Sequence, residues 1–323
     1  MLSFLGILLG LALLIGGGTA LVAGSSQIAT RFGISPMIIG LTIVGFGTSA
    51  PELVVNITGA LTGQTELAFG NVIGSNIANL GLVLGCAALI RPIAIQGQVV
   101  HREVPLLLLV TTIMTVMALD GILDGEVPHI TRSEGIVLLL LFLIFTYITV
   151  RDVLYADADD ALIAEISHAQ LLSAPRRYFV DWLMIPLGLL LLYAGGRITV
   201  SSSVEFAALL GAPTEVIGLF VVAIGTSMPE LVTCIIAAVR KESDLALGNV
   251  IGSNIFNSLI VLPVSAVVSP VVIPQGGVFD LGISWLFAAV LIPIFFLRNA
   301  TIGRPSALLL LSGYVAYAVT RIG

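Results

Sequence analysis

The sequence Gly47-Thr48-Ser49-Ala50-Pro51-Glu52 lies in a strongly apolar segment and is followed by Gly70-Asn71-Val72-Ile73-Gly74-Ser75-Asn76. Both motifs occur again, as Gly225-Thr226-Ser227-Met228-Pro229-Glu230 and Gly248-Asn249-Val250-Ile251-Gly252-Ser253-Asn254. The two copies, residues 41–85 and 219–263, align without a gap at a constant offset of 178 residues, and 24 of the 45 aligned positions are identical. This duplication predicts that the chain consists of two related halves.

The composition is typical of a protein embedded in a membrane. Of the 323 residues, 58% are hydrophobic and only 10% are charged, whereas a soluble domain is about 25% charged. The apolar segments are continuous, which fits membrane helices of roughly 20 residues and not the alternating strands of a barrel. We predict an all-α polytopic membrane protein in a lipid bilayer. No basic run indicates a nucleic-acid partner, and Cys86 and Cys234 are interpreted as small buried residues.

Hydropathy predicts ten transmembrane helices, at about residues 2–28, 35–60, 66–90, 103–120, 132–150, 179–203, 214–238, 244–268, 279–297 and 305–322. Five spans separate each motif from its copy, so the two halves should be inverted. The expected organisation is a first five-helix repeat over residues 1–150, a linker over 151–178 and a second, inverted five-helix repeat over 179–323. Inverted repeats are found in many secondary transporters, whose sites lie near the membrane midplane where the repeats meet.

The basic residues predict the orientation in the membrane. Ten of the thirteen Lys and Arg residues lie in connections from an odd-numbered to an even-numbered span. The positive-inside rule places these connections in the cytoplasm, including the 151–178 linker, and both termini outside. The N-terminus lacks a basic region, so we expect a true first span and not a cleaved signal.

Glu52 and Glu230 are the two acidic residues, of nineteen, that fall deep within predicted spans. An ionised carboxylate in hydrocarbon costs at least ~2.5–3.5 kcal/mol, so an intramembrane acid is a functional hypothesis by default. Two of them at matching repeat positions are difficult to explain by chance. We therefore predict that the two glutamates share one cation site.

The residues around each glutamate add oxygen ligands. Thr48 and Glu52 are four residues apart and would share a helix face. Pro51 and Pro229 lie inside their predicted helices, where a proline should free the backbone carbonyl four residues back, at Gly47 and Gly225. Carboxylate, hydroxyl and carbonyl oxygens suit Ca²⁺ and Na⁺. The three histidines lie outside the core spans, so a Zn²⁺ or Cu⁺ site is not expected.

The next helix of each half carries polar side chains at helical spacing. We interpret Ser75, Asn79, Ser253 and Asn257 as ligands, and Asn71, Asn76, Asn249 and Asn254 as residues that hydrogen-bond between helices. The spacing of Gly70 with Gly74 and of Gly248 with Gly252 allows close helix approach. The glycines at 16–18 and 195–196 suggest smooth faces on which helices can slide.

The doubled motif resembles the repeats of the cation/Ca²⁺ exchanger superfamily, and the chain is most similar to the prokaryotic sodium/calcium exchangers. The resemblance implies antiport of Na⁺ and Ca²⁺ across the inner membrane of a prokaryote, with no cofactor. One departure is Asn257, where some relatives carry aspartate, and this weakens the case for potassium co-transport. The ligands that the resemblance implies are Gly45, Thr48, Ser49, Glu52, Ser75 and Asn79 in the first repeat, and Ala223, Thr226, Ser227, Glu230, Ser253 and Asn257 in the second, where Gly45 and Ala223 contribute backbone carbonyls.

Four alternatives stay open. The first is a duplicated structural bundle that transports nothing. A H⁺/Ca²⁺ antiporter could use the same glutamates, since a buried carboxyl group can carry a proton, although a proton needs no cage of further oxygens. An intramembrane hydrolase could use paired carboxylates for acid–base chemistry, but nothing in the sequence distinguishes the two acids from each other. A passive channel would need no counter-ion. The sequence does not indicate the oligomeric state.

Overall fold

The computed structural model describes residues 2–94, 99–123, 127–154, 178–209, 225, 227–297 and 301–322. Helices make up most of these ranges, and the strands are two residues long. The helices are α1 (Leu2–Phe32), α2 (Pro36–Thr48), α3 (Ala50–Leu61), α4 (Thr65–Ile90), α5 (Val99–Leu123), α6 (Arg132–Leu154), α7 (Tyr178–Leu209), α8 (Met228–Val239), α9 (Ser243–Val268), α10 (Gly277–Leu297) and α11 (Arg304–Ile322). The strands are β1 (Ile93–Ala94), β2 (His129–Ile130), β3 (Val271–Val272) and β4 (Thr301–Ile302).

The helices confirm the prediction of an all-α membrane protein. Among the described residues, seven helices are long and apolar enough to cross a membrane, and α2 with α3 would make an eighth span. The other two helices are α8, which has 12 described residues, and α11. Most of the predicted linker and the first half of the predicted seventh span lie outside the described residues. The structure therefore gives seven or eight spans, and the number ten remains a prediction.

The first motif breaks its helix at Ser49. This residue has non-helical backbone angles (φ −88°, ψ 3°), and α2 and α3 meet there at a bend of 44°. Pro51 therefore lies in the first turn of a new helix, where its missing N–H group is tolerated. The Ser49 N–H group at this break donates to the Gly45 carbonyl at 3.2 Å. Pro51 has no N–H group to donate to the Gly47 carbonyl four residues back, and the prediction that this carbonyl is unpaired remains a prediction.

Three of the described helices contain a π-helical segment, in which each backbone hydrogen bond spans one residue more than in an α-helix. These segments are Gly40–Val44 in α2, Asn79–Val83 in α4 and Asn257–Val261 in α9. The last two begin at the asparagines that were predicted to be ligands. Such π segments are rare and often mark functional sites.

The centre of the molecule is formed by α4 and α9, in which 72% and 78% of the most apolar window is buried, against 22–44% in the other candidate spans. Glycines let α2 approach α9 closely. A Cβ atom on Gly45 would lie 2.9 Å from the Ser253 nitrogen, and one on Gly248 would lie 2.9 Å from the Leu41 nitrogen. The two backbones are thus in direct contact, as the glycine spacing of the second motif predicts.

The two longest helices, α1 and α7, pack against each other along their lengths. Contacts run from Gly6 against Ser202 to Gly24 against Met184, so the two helices are antiparallel. Near one end of the pair, Arg31 forms an ion pair of 2.9 Å with Asp181. In this arrangement Gly17 contacts the partner helix, whereas Gly18 faces Val232 and Ile236 of α8.

The short strands connect the two halves. β1 pairs with β4 and β2 pairs with β3, both antiparallel. Ile93 opposes Ile302 in the first pair, and Ile130 opposes Val271 in the second. β1 and β3 follow α4 and α9, so each half contributes the same element to a pair with the other half.

Candidate functional site

The two glutamates lie at the start of equivalent helices. Glu52 is in the first turn of α3 and Glu230 is in the first turn of α8, and each side chain is only 1% exposed. Ser227, which precedes α8, has nearly the same backbone angles as Ser49 (φ −88°, ψ 8°). A carboxylate at a helix N-terminus interacts favourably with the helix dipole and the unpaired N–H groups. The broken helices thus hold two buried carboxylates in matching positions.

The site is formed by both halves of the chain. The Ser49 hydroxyl of the first motif donates a 3.0 Å hydrogen bond to Glu230 Oε1 of the second. The π segment that begins at Asn79 packs against α8, and the one that begins at Asn257 packs against α3. Each glutamate helix therefore contacts the polar helix of the other half.

Several buried oxygen atoms here have no hydrogen-bond partner among the described residues. They include both oxygens of Glu52 and Oε2 of Glu230. A buried polar atom without a partner costs about 1–3 kcal/mol, and more if it is charged. A group of such acceptors is therefore expected to bind a cation when one is present. The other oxygens of this kind, from the predicted ligands, are Ser75 Oγ, Asn79 Oδ1, Ser227 Oγ and Asn257 Oδ1.

Asn76 and Asn254 determine which atoms of the two predicted asparagine ligands are left unpaired. Asn79 Nδ2 donates to Asn254 Oδ1 at 3.0 Å, and Asn257 Nδ2 donates to Asn76 Oδ1 at 3.2 Å. Asn254 Nδ2 in turn donates to the Asn76 carbonyl at 3.2 Å. Because both amide nitrogens are bound in this way, Asn79 and Asn257 leave their oxygens free. We call these four residues the asparagine clasp.

Three predicted ligands are hydrogen-bonded to one another. Ser253 Oγ donates to the Gly45 carbonyl at 3.1 Å, and the Thr48 hydroxyl lies 3.4 Å from Ser253 Oγ. Thr48 Oγ1 also donates to Asn249 Oδ1 at 3.1 Å. Through these bonds Thr48 joins α2 to α9. Thr48 and Glu52 lie on either side of the break at Ser49, and the prediction that they share a face remains a prediction.

Of the twelve predicted ligands, Ala223 and Thr226 lie outside the described residues. The structure brings the other ten to the region where α2, α3, α4, α8 and α9 meet. Sequence reasoning interpreted Asn76 and Asn254 as residues that bond between helices, and this is confirmed. It missed their effect on the ligand amides, because nothing in the spacing indicates which side chains meet across the two halves.

A cavity of about 660 Å³ lies beside the glutamates. Its walls come from α3 and α7 and from the residues just before Glu52 and Glu230, and it extends to the connection between α3 and α4. We call this cavity the vestibule. Its described lining residues include Pro51, Gln64, Gly196, Arg197, Gly225 and Pro229.

The oxygen donors at this site suit a hard cation. Two carboxylates, hydroxyl groups and amide oxygens are the ligands that Ca²⁺ prefers, and Na⁺ binds to the same types of atom. Among the described residues, no group of three or more His, Cys, Asp and Glu side chains comes together. Neutral oxygens must therefore complete any coordination shell around the two glutamates.

Comparison with known proteins gives consistent results. The family model for "Sodium/calcium exchanger protein" matches residues 2–151 and 180–323. The chain is 43% identical to the "Putative antiporter CaxA" of Alkalimonas amylolytica over 83% of this chain and 81% of that protein. It is 34% identical to the "Inner membrane protein YrbG" of Escherichia coli (strain K12) over 96% of this chain and 94% of that protein.

A solved structure has the same fold. It is the sodium-calcium exchanger NCX_Mj soaked with 2.5 mM Na⁺ and 0.1 mM Ca²⁺, which is 29% identical, with a TM-score of 0.83 over 99% of this chain and 98% of that one. The resemblance that the doubled motif predicted is thereby confirmed. On the match of the family model to both halves, this chain belongs to the sodium/calcium exchanger family of membrane antiporters.

Proposed function

We propose that this protein exchanges Na⁺ for Ca²⁺ as a secondary active antiporter, and that it is not an enzyme. The transported ions bind one after the other at the site between Glu52 and Glu230, and no cofactor takes part. The proposed ligands are the twelve residues named above. Support comes from the family, from the ions present with the similar structure of NCX_Mj, and from the chemistry of the site.

The observation that carries this proposal is the group of unpaired oxygens. Those of Glu52, Glu230, Asn79 and Asn257 are buried, belong to both halves and have no partner among the described residues. A structural network would pair these atoms with donors. Their number also favours Na⁺ over H⁺ as the coupling ion, because a proton requires one oxygen and not a cage.

We further propose that the two halves are inverted repeats of five helices each, residues 1–150 and 179–323, joined by a cytoplasmic linker at 151–178. The contacts of α4 with α9 support this arrangement. Asn76 contacts Ser258 while Asn79 contacts Asn254, so the two helices run in opposite directions where they cross. Both termini then lie outside. The similarity to an inner membrane protein supports the cytoplasmic membrane as the location.

The charge of the site explains why exchange is obligatory. Two carboxylates give an empty site a charge of about −2, which one Ca²⁺ or several Na⁺ ions neutralise. Moving an unneutralised buried charge through a closed, water-free state is unfavourable. The loaded site changes sides and the empty one does not. We propose that α1 and α7 slide as a pair against the helices that hold the site, because they pack more extensively against each other than against α8.

The direct test is ⁴⁵Ca²⁺ uptake into proteoliposomes that are loaded with Na⁺ and diluted into Na⁺-free buffer. We expect uptake that requires the outward Na⁺ gradient and that does not occur with K⁺ or choline inside. Uptake that ignores Na⁺ and follows an imposed pH gradient would instead show a H⁺/Ca²⁺ antiporter. Uptake without any counter-ion would show a channel.

A further inference from the structure

Arg197 is a charged residue within a membrane helix that the proposed ion site does not use. It lies in the second half of α7, within the apolar segment Phe179–Phe206. Its side chain is exposed and lines the vestibule. A charged residue within an apolar span is costly unless it faces water or a partner, and it usually marks an ion pathway.

The vestibule contains no other charge among its described lining residues, which are otherwise apolar, hydroxylated or amide side chains and glycines. The cavity walls also include Pro51, Pro229 and Gly225, and the first two immediately precede Glu52 and Glu230 in the chain. An ion that reaches the carboxylates through the vestibule therefore passes the guanidinium group. Low-dielectric walls concentrate the field of such a charge in the water between them.

The corresponding residue of the first half is not charged. At the offset of 178 residues, Arg197 aligns with Thr19, and the glycines that precede them, Gly17-Gly18 and Gly195-Gly196, also align. The two halves therefore differ in charge at this position, although the two glycines that precede it are the same in both.

We propose that Arg197 biases cation entry from this vestibule, by disfavouring divalent ions more than monovalent ones. The inference rests on the proposed function, because it assumes that Ca²⁺ and Na⁺ compete for the site. The energy of an ion in the field of Arg197 is proportional to the ion's charge. If the guanidinium group lowers the local concentration of Na⁺ by a given factor, it therefore lowers that of Ca²⁺ by the square of this factor. At about 10 Å in water the factor is roughly two for Na⁺ and about four for Ca²⁺.

The direction of this effect agrees with export of Ca²⁺. The vestibule extends to Gln64 in the connection between α3 and α4, which the positive-inside rule places outside the cell. A positive charge there opposes rebinding of released Ca²⁺ more strongly than it opposes binding of Na⁺. Arg197 is thus a specificity-determining residue of the pathway and not a ligand.

The test compares variants of the full-length protein in proteoliposomes. Arg197→Thr reproduces the residue of the first half, Arg197→Gln is a second neutral variant, Arg197→Lys retains the charge, and Ser201→Ala is a control at an uncharged lining residue. The measurements are the KM for Ca²⁺ and the half-saturating Na⁺ concentration from the vestibule side. Both are taken at low ionic strength and again with added choline chloride, which screens charges over about 10 Å at 0.1 M.

We expect Arg197→Thr and Arg197→Gln to lower the KM for Ca²⁺ about fourfold and the half-saturating Na⁺ concentration about twofold, and added salt to reduce both changes. Arg197→Lys and Ser201→Ala should resemble the wild type. Unchanged constants in both neutral variants, equal factors for the two ions, or an equal change in Arg197→Lys would overturn the inference. If the wild type itself shows no Na⁺-dependent Ca²⁺ uptake, the proposed function fails, which is a different result.

Discussion

At the scale of single residues, the site depends on oxygens that other residues leave without donors. The sequence identified Glu52 and Glu230 by their depth in apolar segments and by the duplication. It did not reveal that the amides of Asn79 and Asn257 are oriented by residues of the other half. Those contacts are 175 and 181 residues apart in the chain, and helical spacing carries no information about them.

The first prediction concerns the carboxylates. Glu52→Gln and Glu230→Gln each remove half of the site's negative charge while retaining its shape. We expect each variant to weaken apparent Ca²⁺ affinity at least ~100-fold, which corresponds to about 2.7 kcal/mol. The measurement is Na⁺-dependent ⁴⁵Ca²⁺ uptake over a range of Ca²⁺ concentrations. Glu66→Gln, at an exposed acid in the first turn of α4, is the control and should behave as the wild type. Full exchange by either site variant would remove these residues from the site.

The second prediction concerns the asparagine clasp. Asn254→Leu removes the acceptor of Asn79 Nδ2, so the Asn79 amide can turn its NH₂ group towards the ion. We expect the KM for Ca²⁺ to rise about tenfold, equivalent to about 1.4 kcal/mol, with a smaller change in kcat.

Ser258→Ala is the matched control for the clasp. It removes the partner of Asn76 Nδ2 and leaves both bonds to the ligand amides in place. It should lower the free energy of unfolding by about 1 kcal/mol and leave the KM unchanged. If both variants lose stability alike and neither changes the KM, the clasp is structural only.

At the scale of helices, the sequence predicted the positions of the helices well, but it did not predict the interruptions within them. Hydropathy placed the described spans to within a few residues of their observed limits. The break at Ser49 and the π segments that begin at Asn79 and Asn257 were not predicted. A proline such as Pro51 fits both the interior of a kinked helix and the first turn of a new one. A π segment adds one residue to a turn of the helix. The spacing of apolar residues does not reveal this extra residue in helices as buried as α4 and α9.

The third prediction tests the close contact of α2 with α9. Gly252→Ala would place a methyl group 2.7 Å from the backbone carbonyl carbon of Leu41, and neither backbone can yield easily. We expect a loss of about 1–3 kcal/mol in the free energy of unfolding, as for other overpacked sites. The apparent Tm in detergent measures this change.

Gly282→Ala in α10 provides the comparison, since a methyl group at this exposed glycine meets no atom of the described residues within 4 Å. Alanine is the better helix former by about 1 kcal/mol, so the Tm should stay the same or rise. Equal stability of Gly252→Ala and wild type would show that α2 and α9 pack less closely than in the structure.

At the scale of the whole molecule, duplication predicted two related halves, and the paired strands and the crossing of α4 with α9 agree with that organisation. What the sequence could not give is the packing of α1 against α7, because glycine at 17 and 195 allows close approach without specifying a partner. The structure assigns Gly17 to that pair and Gly18 to the contact with α8.

The fourth prediction follows from the proposed sliding of α1 and α7. A Cβ atom at Gly18 would lie 3.2 Å from a methyl carbon of Val232 in α8, so Gly18→Cys with Val232→Cys can be cross-linked. Oxidation should reduce exchange at least ~10-fold, and a reductant should restore it, because the link ties the moving pair to the helix of Glu230.

A link within the moving pair is the control. Gly6→Cys with Ser202→Cys joins α1 to α7, where the two Cβ positions nearly touch, and its oxidation should leave exchange largely intact. Single-cysteine variants report any effect of the oxidant alone. Exchange that survives the Gly18–Val232 link would contradict sliding of α1 against the helices that hold the site.

The central claim is that Glu52 and Glu230 bind the same ion. The most direct measurement is an anomalous difference map from crystals of the protein soaked in Ca²⁺. We predict a peak within about 2.3–2.6 Å of carboxylate oxygens from both glutamates, and its loss when Na⁺ replaces Ca²⁺. A map with no peak between them, or with Ca²⁺ bound to only one of the two, would contradict the account.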